Sequence, residues 1–154
     1  MLLKVYMDVC CLNRPFDDQS QDKVRFETEA VISILRRCSD DVRWELIGSD
    51  IIILESSKNQ DLNKRQKVML LHGSVSLKVK YNSIIKARAA EFRKHNVKLF
   101  DSLHLASAEY VEADIFLTTD AQLIKASART DVKIRINNPL DFYMEVLRDE
   151  QFSD

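Results

Sequence analysis

At 154 residues the chain is sized for one domain, which at that length buries about 70% of the surface its unfolded form exposes, enough for a core without staples. With 45% hydrophobic and 31% charged residues, 23 basic against 24 acidic and a net charge of −1, the composition excludes a disordered chain and a membrane-loaded one and carries no global nucleic-acid signature. The only two glycines, Gly48 and Gly73, lie too far apart for a G-x-x-x-x-G-K phosphate loop or a G-x-G-x-x-G dinucleotide turn, so backbone nucleotide cradles of those kinds are excluded.

Leu2 to Met7 is short, apolar and closed by Asp8, which predicts a buried strand. A polar loop is expected over Asn13 to Gln19, where Pro15 breaks regular structure. Ala30, Val31, Ile34, Leu35 and Cys38 recur at helical spacing and predict an amphipathic helix from about Lys23 to Cys38. Arg43 to Gly48 alternates as a strand, and Ser49 with Asp50 starts a helix over Ile51 to Lys58 that carries Glu55. Asp61 to His72 reads as a helix ended near Gly73, and Val75 to Lys80 as a strand. Tyr81 to Asn96 places Ile84, Ile85, Ala89 and Phe92 on one helical face and Lys86, Arg88, Arg93 and Lys94 on a basic flank.

Asp101 opens a helix to Val111 that is rich in small residues, and Ile115 to Thr119 is a strand ending at Asp120, which starts a helix over Ala121 to Ala128. Val132 to Ile136 alternates as a last strand, and Asn138-Pro139 turns into a helix over Leu140 to Leu147. Residues 1–148 therefore make one domain, and 149–154 a polar, frayed tail. The repeated βα order without hairpins predicts an α/β fold: a doubly wound, mostly parallel sheet of about five strands with helices on both faces.

Three cysteines without a C-x-x-C pair, and His72, His95 and His104 without finger spacing, cannot build a zinc ribbon, so a metal would be held by oxygen. The odd cysteine count and the adjacent Cys10-Cys11 pair suggest a reducing compartment in which these residues act as small buried hydrophobes. The opening apolar stretch is broken by Lys4 and Asp8, unlike a signal peptide, and no aliphatic run is long enough to span a bilayer. A cytoplasmic protein without membrane partners is the expectation.

In an open parallel sheet, ligands bind beyond the carboxyl ends of the strands. This sequence delivers Asp8, Glu55, Asp101 and Asp120 to that edge, with Thr118 and Thr119 beside the last. Capping is open for Asp101 and Asp120 as well as chemistry, Asp8 can serve simply to stop a strand, and Glu55 can lie on a solvated helix face. Convergence favours chemistry: four carboxylates repel one another unless a divalent cation neutralises them, and oxygen-only ligands select Mg²⁺ or Mn²⁺. Such ions beside a phosphodiester generate a hydroxide nucleophile and stabilise the leaving oxygen, which makes metal-dependent phosphodiester hydrolysis the implied reaction.

Val5-Tyr-Met-Asp8, Phe100-Asp-Ser-Leu-His-Leu-Ala-Ser-Ala108, Phe116-Leu-Thr-Thr-Asp120 and Asn138-Pro-Leu-Asp-Phe142 together look like a PIN domain, and size and order resemble the VapC-like toxin nucleases over nearly the whole chain. The resemblance implies a sheet with the first strand central, an acidic pocket for Mg²⁺ or Mn²⁺ and endoribonuclease activity on single-stranded or looped RNA. By position, Asp8, Glu55, Asp101 and Asp120 match the family's acidic quartet as catalytic and metal residues. Thr118 or Thr119 would orient Asp120 or a water, and Asn13 would support the pocket. Val9 departs from the pattern, standing where many members carry a small hydroxyl residue. His104 is read as a packing or hydrogen-bonding residue rather than a base. Arg14, Lys86 and Arg88 are candidate RNA contacts, with a solvated helix face the bland alternative for the α-helical pair. An antitoxin protein, held by the apolar helices around Ile51 to Leu71, and a homodimer are the implied protein partners. Two other classes stay open: a catalytically degenerate interaction module, and a receiver-like Mg²⁺-binding phosphoacceptor domain.

Overall fold

The computed structural model describes residues 2–73, 75 and 77–151. Five strands, β1 (Leu3–Met7), β2 (Trp44–Ser49), β3 (Leu77–Val79), β4 (Ile115–Leu117) and β5 (Arg135–Asn137), form one all-parallel sheet in the order β3-β2-β1-β4-β5. The helices are α1 (Val9–Asn13), α2 (Asp22–Asp40), α3 (Asp50–Ser57), α4 (Leu62–His72), α5 (Ser83–Arg93), α6 (Leu99–Tyr110), α7 (Ala121–Ser127) and α8 (Pro139–Gln151). This is the doubly wound α/β architecture expected from the alternating elements. Its strand order removes the receiver-like alternative, because receiver sheets run 2-1-3-4-5.

Val5, Tyr6 and Met7 are fully buried, as a central parallel strand covered on both faces requires. Side chains alternate across a strand, and the register pairs Leu3 with Trp44 and Tyr6 with Ile47 and Phe116. Trp44 meets Phe142 of α8 and lies under the Arg37 guanidinium of α2, so α2 and α8 cover that face. On the opposite face Tyr6 stacks on Phe116, with ring centroids 5.2 Å apart, and meets the edge of His104 on α6, which packs against α5.

Several local expectations are corrected. The segment after Asp8 is not open loop: Val9–Asn13 is a helical turn capped by Asp8, and Arg14–Phe16 is a 3₁₀ turn that accepts Pro15 because its early positions need no N–H. Cys11 is buried in it, whereas Cys10 is exposed. Asp101 lies inside α6, whose cap position is Lys98, while Asp120 does cap α7, accepting from the backbone N–H groups of Gln122 and Leu123. The last ladder begins only at Arg135, since the alternation over Val132 to Ile136 marks Val132 and Ile134 packing on the core rather than strand pairing. The third ladder spans only Leu77–Val79 of the strand expected over Val75 to Lys80, and residues 74 and 76 lie outside the described ones.

The end of the chain also differs from the expected frayed tail. Helix α8 runs on to Gln151 because Glu150 pairs with both terminal nitrogens of Arg37, at 2.6 and 2.9 Å, beside the Arg37 contacts with Trp44 and Tyr143. Residues 152–154 lie outside the described ones. Gly73 closes α4 with an ordinary φ of −65° and needs no left-handed backbone. Gly48 is required for space: a Cβ there would meet His72 Nε2 at 2.5 Å and Val75 Cγ2 at 2.6 Å.

Candidate active site

The strand order reverses between β1 and β4, which opens a crevice beyond their carboxyl ends. Asp8 leaves β1 directly into this crevice edge, and Thr118 and Asp120 leave β4. Asp8 is 2% exposed. Its carboxylate accepts from the Cys11 backbone N–H at 3.0 Å and from the Thr118 hydroxyl. Burial pushes the Asp8 carboxyl up to about 6, against the pull of the Thr118 bond. Thr118 is fully buried, and its Oγ1 also accepts from the Asp120 N–H at 3.1 Å, so one hydroxyl ties the two acids together. Thr119 is buried beside it.

Asp101 and Glu55 reach the same crevice from α6 and α3. Partial burial raises the Asp101 carboxyl, and repulsion from Asp120 and Glu55 adds to the rise, while Lys98 opposes it. All four acids lie within electrostatic reach of Cys10. Although Cys10 is exposed at the surface, its thiol is pushed well above the usual range by desolvation from the surrounding protein and then by the charges of Asp8, Glu55, Asp101 and Asp120. Carboxylates that raise one another in this way stay together most readily when a cation screens them. Among the described residues no three His, Cys, Asp or Glu side chains close into a ready-made ligand cluster. The donor set still fits a hard cation: it is all oxygen, and Mg²⁺ is commonly held by one or two carboxylates with waters completing its octahedron.

No family model matches the chain, and no curated protein matches it. Solved structures do. A chain of the VapBC2 complex of Rickettsia felis, bound to a promoter DNA fragment, superposes with a TM-score of 0.59 at 14% identity, covering 88% of this chain and 98% of that one. VapBC-1 of nontypeable Haemophilus influenzae gives 0.54 at 11% identity over 89% and 98%, and DNA-bound VapBC of Salmonella typhimurium 0.54 at 16% over 90% and 99%. The fold is that of a VapC PIN domain. At such identities the likeness is one of fold, and the PIN fold is what the β3-β2-β1-β4-β5 sheet builds here.

Within this PIN fold the other sequence candidates divide. Asn13 ends α1, and among the described residues its buried Oδ1 meets no hydrogen-bond partner. Arg14 is engaged inside the protein, pairing at 3.1 Å with both Asp17 and the buried Glu27, whose second oxygen accepts from Asn138 at 2.6 Å. Arg88 is likewise engaged, with Glu109, Glu91 and Asp131, and lies over the Phe92 ring. Both arginines are thus paired with carboxylates of their own chain and tie separate segments of the fold together. Lys86 is exposed on α5.

The cations that do reach the acids are ones the spacing of the sequence did not reveal. A cavity of about 270 Å³ runs from Asp101 and Asp120 past Lys98, Gln122, Lys125 and Arg129. The three bases come from the entry to α6 and from α7 and its exit, so no run of charge announces them. His104 is the hydrogen-bonding residue the sequence suggested: fully buried, it bonds Glu55 through Nε2 at 2.8 Å and the Tyr6 hydroxyl through Nδ1 at 2.7 Å.

Proposed function

We propose that the chain is an Mg²⁺- or Mn²⁺-dependent endoribonuclease that hydrolyses RNA phosphodiester bonds, serving as the toxin of a type II toxin-antitoxin pair. The observation that carries this reading is the placement of carboxylates from four separate segments around the β1–β4 crevice of a PIN fold: Asp8 and Asp120 beyond the strand ends and tied through Thr118, Asp101 beside Asp120 in one cavity, and Glu55 held to α6 by His104. Asp8, Glu55, Asp101 and Asp120 are the proposed metal-holding residues, and a bound divalent ion supplies nucleophile activation and charge stabilisation for in-line displacement at phosphorus. Thr118 holds Asp8 and the Asp120 backbone in register. Lys98, Lys125 and Arg129 line the path on which RNA phosphates would approach, a contact that makes binding salt-dependent.

Ile53 of α3 with Met69 and Leu70 of α4 line a shallow groove, with Leu54 and Leu62 exposed on the same two helices, and this is the apolar region proposed for the antitoxin, consistent with a fold shared with VapBC chains. A homodimer belongs to the same proposal, as does a cytoplasmic setting where RNA is the substrate. Among the described residues no helix is long and apolar enough to cross a membrane.

The test is purified protein on unstructured RNA with Mn²⁺, with chelator, and with Asp8→Asn or Asp101→Asn. Cleavage only by the wild-type chain with metal is expected. Cleavage that survives chelation or either substitution overturns the reading. The degenerate interaction module is favoured by one observation, the lack of a preassembled three-ligand cluster among the described residues. It requires that Mn²⁺ produce no binding heat while a partner complex still forms.

A further inference from the structure

Glu55 lies on a short helix whose neighbours Ile53 and Leu54 are exposed, and its own side chain is 31% exposed. Left to itself, such a carboxylate samples several rotamers in water and is a poor fixed ligand. It is not left to itself. His104 Nε2 is 2.8 Å from Glu55 Oε1, His104 Nδ1 is 2.7 Å from the Tyr6 hydroxyl, and that hydroxyl is 2.7 Å from Ser49 Oγ. Ser49 Oγ in turn accepts from the Ile52 backbone N–H at 3.1 Å as the cap of α3, the helix that carries Glu55.

A carboxylate only accepts, so the hydrogen on the ring belongs on Nε2. Nδ1 then accepts from Tyr6 O–H, Tyr6 accepts from Ser49 O–H, and Ser49 accepts from Ile52 N–H. Each donor meets one acceptor, and the chain closes without a spare hydrogen. Ser49, Tyr6 and His104 are all fully buried, where an unmet polar group is costly, which makes the single arrangement self-enforcing. The network also spans four elements, β1, β2, α3 and α6, so it fixes Glu55 to the sheet as well as to its own helix.

We infer that His104 is the positioning residue for Glu55, its ring clamping Oε1 at a fixed place on the crevice and leaving Oε2 free of that bond, with Tyr6 and Ser49 holding the ring. This rests on the reading of Glu55 as a metal-holding carboxylate. Groups that orient a ligand in this way typically change metal affinity by 10–100-fold when removed.

The test is Mn²⁺ calorimetry on the full chain in the wild type, His104→Leu, His104→Gln and Tyr6→Phe, each with a melting curve in chelator. Leucine removes the donor to Glu55, while the glutamine amide can replace Nε2–H. Expected are a loss of about 10–100-fold for His104→Leu, substantial recovery for His104→Gln, and a smaller loss for Tyr6→Phe. The Glu55→Ala background separates positioning from general damage: there His104→Leu costs no further affinity, since the carboxylate it serves is gone. Equal affinity of His104→Leu and wild type, the same loss in the Glu55→Ala background, or no recovery by glutamine overturns the inference while the metal reading stands. Should His104→Leu fail to fold, Tyr6→Phe and His104→Gln carry the same cycle. A wild-type chain that binds no Mn²⁺ overturns the metal reading and this inference with it. Nitrogen NMR of the wild type gives a readout apart from metal: His104 protonated on Nε2 is expected, and protonation on Nδ1 alone refutes the clamp.

Discussion

Replacing Asp8 with asparagine should stabilise the metal-free chain at neutral pH. Burial lifts the Asp8 carboxyl from an ordinary 3.8 to about 6, and each tenfold change in proton affinity is about 1.4 kcal/mol, so ionising it in the folded chain costs about 3 kcal/mol. The folded state holds this proton more tightly than the unfolded one. Its contribution to stability is therefore complete below pH 3.8 and is lost as pH rises through about 6. Asparagine never ionises, yet its amide oxygen can accept the Cys11 N–H bond that caps α1. In chelator at pH 7.5, Asp8→Asn should melt roughly 6–12 °C above the wild type, and the gap should close as pH falls towards 3.5. Mn²⁺ should work against that order, because ligand at a hundredfold excess over Kd adds about 2.7 kcal/mol to the chain that binds it. Paired melting curves across pH, with chelator and with Mn²⁺, read all three effects. A variant no more stable than the wild type at pH 7.5 in chelator, or a gap that does not change with pH, refutes the account of Asp8 as a buried, destabilising carboxylate.

Gly48→Ala drives a Cβ to 2.5 Å from His72 Nε2, the atom that accepts the Ser49 N–H at 3.1 Å. A loss of about 1–3 kcal/mol in urea unfolding is expected, and wild-type stability would show that His72 has room to move. Arg88→Ala removes a forked pair with Glu109 and the cover over Phe92. It should cost about 1–2 kcal/mol of stability and leave RNA affinity unchanged, so a loss of RNA binding in the folded variant would return Arg88 to the substrate path. Lys125→Glu with Arg129→Glu, placed in Asp8→Asn protein to prevent turnover, should weaken RNA binding by anisotropy and flatten its salt dependence by about one unit of slope per cation. An unchanged slope would remove the cavity beside Asp101 and Asp120 from the RNA path.

The alternation of short apolar strands with helical periodicity was sufficient for the fold class, because a parallel sheet buried on both faces needs that pattern and little else. Asp8 and Asp120 were legible for the same reason: each ends a strand, so position along the chain translates directly into position on the carboxyl edge. Ser49 and Asp61 were readable as helix starts from their side-chain chemistry alone. Ladder limits were less legible. Val132 and Ile134 alternate like strand residues but only pack on the core, because burial and pairing leave the same periodic mark.

What the sequence by itself determined is the local chemistry: which segments bury an apolar face, which residues cap, and that any metal must be held by oxygen. Tertiary structure decided the partners. Arg14 and Arg88 look like free cations until Glu27 and Glu109, distant in sequence, are folded onto them. His104 could be read as a hydrogen-bonding residue, but its partners are known only once β1 and α3 bring Tyr6 and Glu55 to its two nitrogens. Lys98, Lys125 and Arg129 join Asp101 and Asp120 only when α6 and α7 meet at one cavity. Hydrogen bonds and ion pairs depend on distances of about 3 Å, and between elements those distances are set by packing, which no local pattern of residues records.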